Sequence, residues 1–164
     1  MTANTKILIY PGTFDPVTYG HIDIINRASE LFDKIIVTVA INPSKSPLFS
    51  LEERLTLLRE SLAEIPNTEV AAFDGLVVDF AMSYNAKAIL RGLRAVSDFE
   101  YEFQMALMNH KLNSDIRTLF MMPNEKYTYL NSSIIRNLAQ FHANVSEFVP
   151  PCVQSALLIK CPVI

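Results

Sequence analysis

Short apolar runs and longer segments with helical periodicity alternate along the chain. Residues 7–10 form an apolar run that stops at a Pro-Gly pair, as a buried strand does where it reaches a loop. Within residues 20–32 the apolar positions recur at intervals of three and four, and a β-branched run follows at residues 35–39. A strand, a helix and a second strand in this order indicate a βαβ unit with a parallel pair of strands.

The same order continues through the rest of the chain. Ser50 is followed three residues later by Glu53, and this capping-box pattern predicts a helix that runs to about Ala63. Further strands are predicted at about 69–73, 88–91 and 117–122, and further helices at about 76–84, 97–112, 132–140 and 151–159. The alternation predicts an α/β fold, a doubly wound five-stranded parallel sheet in a single domain that spans residues 1–164.

The composition argues against a nucleic-acid partner and suggests self-association. Hydrophobic residues make up 50% of the chain and charged residues 19%, below the roughly 25% usual in soluble proteins. Some apolar surface is therefore expected outside the core of one monomer. The formal net charge of -3 leaves no broad basic field, so we expect no polynucleotide partner, whereas a small anionic ligand remains possible.

Cysteine usage and the lengths of the apolar runs predict the compartment. Cys152 and Cys161 lie near the C-terminus without a C-x-x-C spacing or clustered histidines, so we expect reduced thiols and no metal site there. No segment approaches the roughly 20 apolar residues of a membrane span, and no signal-peptide pattern is present at the N-terminus. We therefore expect a cytoplasmic protein without a membrane partner.

The first loop carries residues suited to binding phosphate. It reads Gly12-Thr13-Phe14-Asp15-Pro16-Val17-Thr18-Tyr19-Gly20-His21 and leads from the first strand into the first helix. A helix N-terminus offers free N–H groups and a partial positive charge, and Gly20 allows a close approach to the backbone. A lone histidine such as His21 at a helix start is usually a capping or surface residue, but the loop as a whole favours a phosphate site.

Several motifs resemble a known family of nucleotide-transferring enzymes. Tyr10-Pro11-Gly12-Thr13-Phe14-Asp15-Pro16 followed by Thr18-Tyr19-Gly20-His21 resembles the nucleotidylyltransferase superfamily. Later segments, in the right order, narrow the resemblance to the phosphopantetheine adenylyltransferase family: Leu51-Glu52-Glu53-Arg54, Arg91-Gly92-Leu93-Arg94, Asp98-Phe99-Glu100-Tyr101-Glu102, and Asn131-Ser132-Ser133 with Arg136. The resemblance covers almost the whole chain and implies a Rossmann-like nucleotidylyltransferase fold.

The resemblance also implies a reaction. This family transfers the adenylyl group of ATP to 4′-phosphopantetheine, which gives dephospho-coenzyme A and pyrophosphate in coenzyme A biosynthesis. The acceptor phosphate attacks the α-phosphorus directly and in line, Mg²⁺ is bound with the ATP phosphates, and the enzyme forms a homohexamer. Such a transfer depends on positioning and charge stabilisation, so no nucleophilic residue is needed, in agreement with the absence of a G-x-S-x-G segment.

Catalytic roles for His21, Lys45 and Arg94 are implied by the same resemblance. His21 would donate a hydrogen bond to an α-phosphate oxygen while negative charge develops there. Lys45 and Arg91 would hold the acceptor, and Arg94 the ATP phosphates. Judged without the resemblance, Lys45 is more often a solvated loop lysine, whereas Arg91 directly follows an apolar strand run at the ligand-binding edge of the sheet.

Two sets of binding residues follow from the resemblance. The ATP site is expected to contain Thr13, Phe14, His21, Gly92, Leu93, Arg94, Glu102, Tyr127, Thr128, Tyr129, Leu130, Asn131, Ser132 and Ser133. The acceptor site is expected to contain Thr13, Lys45, Leu76, Val77, Arg91, Met105, Met108 and Asn109. The helix with Met105 and Met108 is apolar on several sides, so core, subunit interface and ligand wall all stay open for it.

Smaller expectations concern helix caps and the other histidines. Ser132 and Ser133 are expected at a helix start, where they would serve as N-caps and as phosphate ligands. His110 and His142 match no motif and are expected on the surface.

Two alternative functions share part of this pattern. A nucleotide-binding module without catalysis would need the sheet and the phosphate loop but not the acceptor cations Lys45 and Arg91. A sibling transferase would act on a nicotinamide or glycerol phosphate acceptor. Incubation with ATP and a panel of acceptor phosphates, followed by pyrophosphate measurement, separates both from the function that the resemblance implies.

Overall fold

The computed structural model describes residues 5–41, 46–94 and 96–162. Its strands are β1 Ile7–Gly12, β2 Lys34–Ala40, β3 Thr68–Phe73, β4 Ala88–Gly92 and β5 Arg117–Met121. Its α-helices are α1 Tyr19–Ser29, α2 Leu51–Ser61, α3 Val77–Ser83, α4 Val96–Leu112, α5 Ser132–Gln140 and α6 Pro151–Lys160, and a short 3₁₀ helix spans Glu125–Tyr127.

The five strands form one parallel sheet in the order β3-β2-β1-β4-β5. The chain winds outward from β1 to β3, then returns to place β4 on the other side of β1. This reversal opens a crevice beyond the carboxyl ends of β1 and β4, where open α/β sheets bind their ligands. The predicted α/β class and doubly wound five-stranded parallel sheet are confirmed.

Alternate strand residues pack on opposite faces of the sheet, so helices cover both faces. One face contributes Leu8, Val37 and Leu90 to a core shared with helices α1, α2, α5 and α6. The other face contributes Ile9 and Ile36 to a smaller core with α3. Strands buried on both faces read as continuous apolar runs, which is why the sequence pattern identified them.

The predicted element boundaries differ from the observed ones by at most a few residues. The capping box at α2 is confirmed, since Glu53 N donates to Ser50 Oγ at 3.2 Å and Ser50 N donates to Glu53 Oε2 at 2.7 Å. Helix α1 ends at Ser29 rather than near residue 32, and Leu31 N donates to Ala28 O at 3.0 Å, a three-residue spacing that tightens the chain after the last turn. The 3₁₀ helix was not predicted from the sequence.

In the part of the chain that the structure describes, no helix is both long enough and apolar enough to cross a membrane.

Candidate active site

A cavity of about 690 Å³ lies at the carboxyl ends of β1 and β4. Loops after both strands, the first turns of α1 and α5, and one residue of α4 form its walls. We call it the larger cavity. It is lined by Tyr10, Pro11, Gly12, Thr13, Phe14, Asp15, Thr18, Gly20, His21, Ile24, Ser46, Pro47, Arg91, Gly92, Arg94, Glu102, Pro123, Tyr127, Leu130, Asn131, Ser132, Ser133 and Arg136.

The loop between β1 and α1 is held in an uncommon backbone conformation. Phe14 has a φ angle of 46°, a backbone conformation that residues other than glycine rarely adopt. Its buried ring packs edge-on against Tyr10 at 5.6 Å and against His21 at 5.1 Å between ring centroids. Packing of the aromatic ring stabilises this turn, which presents the loop to the larger cavity.

Asp15 joins three segments of the chain beneath the loop between β1 and α1. Its carboxylate is almost completely buried and accepts hydrogen bonds from Leu48 N and Phe49 N, both at 2.9 Å. Arg136 of α5 lies 3.3 Å from the same carboxylate and also donates to the backbone oxygen of Asp15. Asp15 therefore fixes the end of the β2–α2 loop and the start of α5 against the first loop.

A second arginine holds the first loop from the other side. Arg54 of α2 is 6% exposed, and its Nη1 donates to Thr13 O at 3.0 Å. Its Nε donates to Ser50 O at 3.3 Å, and burial lowers its pKa. The guanidinium thus links α2 to Thr13, a residue predicted to contact the reacting phosphates.

His21 lies in the first turn of α1 with one ring nitrogen held by protein atoms. Thr18 N donates to Nδ1 at 3.1 Å, and Thr18 Oγ1 lies 2.9 Å from the same atom. Burial, assisted by the positive charge of Arg94, lowers the pKa of His21 from 6.5 to about 4. The imidazole is therefore neutral at physiological pH in the ligand-free protein.

The N-terminus of α5 faces the same cavity as that of α1. Asn131 is the N-cap, because its side chain accepts a hydrogen bond from Ile134 N at 2.8 Å. The expectation that Ser132 and Ser133 act as caps is corrected: Ser132 Oγ instead donates to Pro16 O at 2.7 Å, and Ser133 Oγ accepts from Arg136. Among the described residues, no acceptor binds the backbone N–H of Ser132 or Ser133.

These two backbone donors are among the N–H groups that a helix leaves unsatisfied at its start. With the first turn of α1, they give the larger cavity two helix N-termini, each favourable for negative charge.

Arg91 at the end of β4 forms an ion pair that separates two cavities. Its Nε and Nη2 donate to Glu102 at 2.7 and 2.6 Å, and its Nη1 donates to Pro11 O at 3.1 Å. Burial alone would lower the pKa of Arg91, but the hydrogen bond and charge of Glu102 outweigh it and raise the pKa. Pro11, Arg91 and Glu102 line both the larger cavity and a neighbouring one.

This neighbouring space, the smaller cavity, has a volume of about 90 Å³. Predicted acceptor residues Val77, Arg91, Met105 and Asn109 line it, together with Pro11, Ile89, Tyr101, Glu102, Ala106 and Thr118. Leu76 and Met108 are 53% and 60% exposed and line neither cavity. The structure thus brings together only part of the predicted acceptor set.

Most of the predicted ATP-binding residues lie together in the larger cavity. Of its members, the following line the larger cavity: Thr13, Phe14, His21, Gly92, Arg94, Glu102, Tyr127, Leu130, Asn131, Ser132 and Ser133. Leu93, Thr128 and Tyr129 do not, and Tyr129 instead packs edge-on against Phe148 at 6.3 Å. Gly92 lies close to α1, since a Cβ there would come within 2.8 Å of Ile24 Cδ1.

Lys45 falls outside the described residues, so its predicted role is not placed by the structure. His110 and His142 are exposed, as expected. Cys152 and Cys161 are free thiols, and neither lines the larger cavity.

Comparison with known proteins identifies the family. The Cytidylyltransferase-like family model matches residues 9–138. A phosphopantetheine adenylyltransferase from Caldanaerobacter subterraneus is 58% identical over 155 residues, which covers 94% of this chain and 97% of the relative. Another from Desulfosudis oleivorans is 59% identical over 152 residues, with 93% and 90% covered. The chain belongs to the phosphopantetheine adenylyltransferase family.

A solved structure supports the fold of this family member. The nicotinic acid mononucleotide adenylyltransferase of Plasmodium falciparum, complexed with NaAD, superposes with a TM-score of 0.72 and covers 96% of each chain. At 15% sequence identity the likeness shows a common nucleotidylyltransferase fold and nothing finer. The two relatives and the family model confirm the membership predicted from the motifs, and the chain is a nucleotidyltransferase of coenzyme A biosynthesis.

Three residues that line the larger cavity belong to the sequence motifs but have no predicted role. Asp15 and Arg136 pair across 121 residues of sequence, which no local pattern reveals. A signal for Arg136 was nevertheless present, because it lies one helical turn after Ser132 and so shares a helix face with it. Tyr10 belongs to strand β1 and also lines the larger cavity, and burial raises the pKa of its hydroxyl.

Proposed function

We propose that this protein transfers the adenylyl group of ATP to 4′-phosphopantetheine by direct in-line attack of the acceptor phosphate on the α-phosphorus. One observation carries the proposal: two helix N-termini and the guanidinium groups of Arg91, Arg94 and Arg136 converge on the larger cavity. A polyphosphate requires such a concentration of donors and positive charge. The phosphopantetheine adenylyltransferase name of its relatives supports the choice of acceptor.

Within this proposal, α1 and α5 bind different phosphates of ATP. The N–H groups of Ser132 and Ser133 bind the β- and γ-phosphates, and Arg94 compensates their charge. Arg94 lies on the cavity wall with Nη1 3.4 Å from Leu130 O. His21 donates to an oxygen of the α-phosphate, where charge increases in the transition state.

The acceptor enters from the smaller cavity. Its neutral pantetheine arm packs against Val77 and Met105, while Asn109, which is 7% exposed, supplies polar contact. Its phosphate meets Arg91 at the boundary with the larger cavity. Lys45 adds positive charge that offsets the repulsion between the acceptor phosphate and the phosphates of ATP. No protein nucleophile takes part, and Cys152 and Cys161 are therefore dispensable.

Magnesium belongs to the same proposal. Among the described residues, no three His, Cys, Asp or Glu side chains are grouped as a metal site. Asp15 and Glu102, which line the larger cavity, are already paired with Arg136 and Arg91. Mg²⁺ would therefore enter with ATP, held by phosphate oxygens whose charge it offsets.

Assembly and location extend the proposal. Helix α4 and strand β5 expose Phe103, Leu107, Leu112, Leu119 and Phe120. Apolar surface of this extent on a soluble chain favours a contact with further copies. We propose a cytoplasmic homohexamer, with neither nucleic acid nor membrane as a partner.

The decisive experiment compares acceptors. The purified protein is incubated with Mg²⁺, ATP and one of 4′-phosphopantetheine, nicotinamide mononucleotide or glycerol phosphate, and pyrophosphate release is followed. We expect release with 4′-phosphopantetheine only. Release with another acceptor would indicate the sibling transferase, and ATP binding without release in any mixture would indicate a binding module.

A variant tests the role of His21 in the same assay. His21→Ala should lower kcat on the order of 10²- to 10³-fold, as removal of one transition-state donor does, with much less change in ATP affinity. Equal losses in binding and turnover would make His21 a ground-state ligand.

A further inference from the structure

Thr18 contacts His21 through two groups, and both meet the same ring nitrogen. Thr18 N lies 3.1 Å from Nδ1 and Thr18 Oγ1 lies 2.9 Å from it. The threonine is 1% exposed, so no bulk water competes for these contacts. It is also the N-cap of α1, with extended backbone angles of -130° and 165°.

The backbone contact determines which ring nitrogen carries a proton. A backbone N–H can only donate, so Nδ1 must present its lone pair. The hydroxyl, which can donate or accept, then donates as well. A neutral imidazole without a proton on Nδ1 carries it on Nε2, and this Nε2–H tautomer is the one that the geometry selects.

Nε2 is the atom that remains for a ligand. No described residue accepts a hydrogen bond from it, while the ring lines the larger cavity. Phe14 packs edge-on against the imidazole at 5.1 Å and restricts its tilt. The ring is therefore held at Nδ1 by Thr18 and packed against Phe14.

We propose that Thr18 is a positioning residue, whose backbone N–H and hydroxyl hold His21 as the Nε2–H tautomer and aim that proton at the reacting phosphate. The catalytic part of this inference rests on the proposed adenylyl transfer; the tautomer does not. The lowered pKa of His21, which burial and the charge of Arg94 cause, agrees with it because it keeps the imidazole neutral.

The hydroxyl is the part that substitution can remove. Thr18→Val keeps the shape and the backbone N–H but loses one of the two donors, so the ring gains freedom to rotate. A small displacement of a catalytic group slows the chemical step. We therefore expect kcat to fall on the order of 10-fold, with the KM for ATP nearly unchanged. Thr18→Ser restores the hydroxyl and should recover most of the rate.

A double-mutant cycle separates positioning from a structural or substrate-binding role. Thr18 also lines the larger cavity and caps a helix, so Thr18→Val alone is ambiguous. In a His21→Ala background, however, a positioning residue has nothing left to position, and Thr18→Val should change kcat less than about 2-fold. An equal loss in both backgrounds, or no loss in the wild-type background, would overturn the proposal.

Nuclear magnetic resonance of the unaltered protein tests the tautomer without depending on turnover or on any substitution at Thr18 or His21. Two-bond ¹H–¹⁵N correlations at neutral pH distinguish the two neutral tautomers, and comparison with His110→Gln and His142→Gln spectra assigns the His21 signals. We expect the Nε2–H pattern. An Nδ1–H pattern would refute the proposal even if adenylyl transfer is observed, whereas the expected pattern in a protein that releases no pyrophosphate would refute only the proposed function.

Discussion

Arg91 and Glu102 form a bidentate ion pair, with Nε–Oε2 and Nη2–Oε1 distances of 2.7 and 2.6 Å. One partner ends a strand and the other lies on α4, so the pair links the sheet to the helix that lines the smaller cavity. A planar guanidinium makes two parallel bonds that an ammonium cannot make. The orientation of Arg91 at the cavity boundary therefore depends on the planar guanidinium with its two parallel donors as well as on the positive charge.

Arg91→Lys should consequently impair acceptor use while sparing ATP. Loss of the guanidinium releases Glu102 and the contact to Pro11 O, and we expect kcat/KM for 4′-phosphopantetheine to fall on the order of 10²-fold. Arg59→Lys, at an exposed position on α2, is the matched control and should change nothing. Calorimetric titration with each substrate alone checks the assignment: wild-type acceptor binding with lost ATP binding would place Arg91 on the nucleotide side.

Asp15→Asn should loosen three segments at once. An amide of the same shape can accept only one of the two N–H bonds from Leu48 and Phe49, and it loses the charge that faces Arg136. We expect a loss of about 1–3 kcal/mol in the free energy of unfolding, seen as a lower Tm. Asp74→Asn is the control, because Asp74 is exposed and makes no side-chain hydrogen bond within the described residues. Equal effects of the two changes would contradict the anchoring role.

Protonation of His21 should occur far below the usual range for histidine. The pKa of about 4 in the folded protein lies below the value of roughly 6.5 expected on unfolding. The unfolded chain therefore binds more protons between these values, so stability falls as pH decreases through the window and is independent of His21 above it. A chemical-shift titration of the ligand-free protein should give a midpoint near 4, and Arg94→Gln should raise it. A midpoint at 6.5 or higher would rule this out.

Thr38→Val should stabilise the protein. Thr38 is fully buried in β2, and its hydroxyl has no hydrogen-bond partner in the part of the chain that the structure describes. A buried hydroxyl without a hydrogen-bond partner destabilises the folded state, and an isosteric apolar side chain removes that penalty. We expect the free energy of unfolding, measured by urea titration, to rise by about 1 kcal/mol with an unchanged m value. Thr68→Val is the counterpart, because Thr68 Oγ1 donates to Ile65 O at 2.7 Å, and it should destabilise. Destabilisation by both would mean that Thr38 has a hydrogen-bond partner in solution.

Self-association should depend on the exposed apolar face of α4. Phe99 and Phe103 stack at 5.7 Å between ring centroids, and Leu107 next to them is 56% exposed. Sedimentation at micromolar concentration should give several times the chain mass of 18.5 kDa. Leu107→Glu should shift the distribution to smaller species, whereas Gln104→Glu on the same helix should not. A monomeric wild-type protein would end the hexamer proposal.

The order and type of the elements could be predicted because their signals are local. Strands β1, β2 and β4 read as continuous apolar runs, and α5 was placed at residues 132–140, the span observed. The cap of α5 was assigned to Ser132 and Ser133 rather than Asn131, since all three residue types can cap and only the side-chain geometry distinguishes them.

The site could be predicted only where motif residues act near their own strand end. His21 comes after β1 and Arg91 lies at the end of β4, and the carboxyl ends of these two strands meet at the crevice. Met108 could not be distinguished from Met105, because α4 is apolar on several sides and periodicity does not say which side meets a ligand.

The larger cavity is closed by contacts between the two ends of its sequence. Ser132 Oγ bonds to Pro16 O across 116 residues, and Arg136 meets Asp15 across 121. A chain truncated before α5 lacks the second wall for the polyphosphate, so we expect it to bind ATP weakly. ATP, by stabilising only chains that include α5, should therefore protect them selectively from proteolysis.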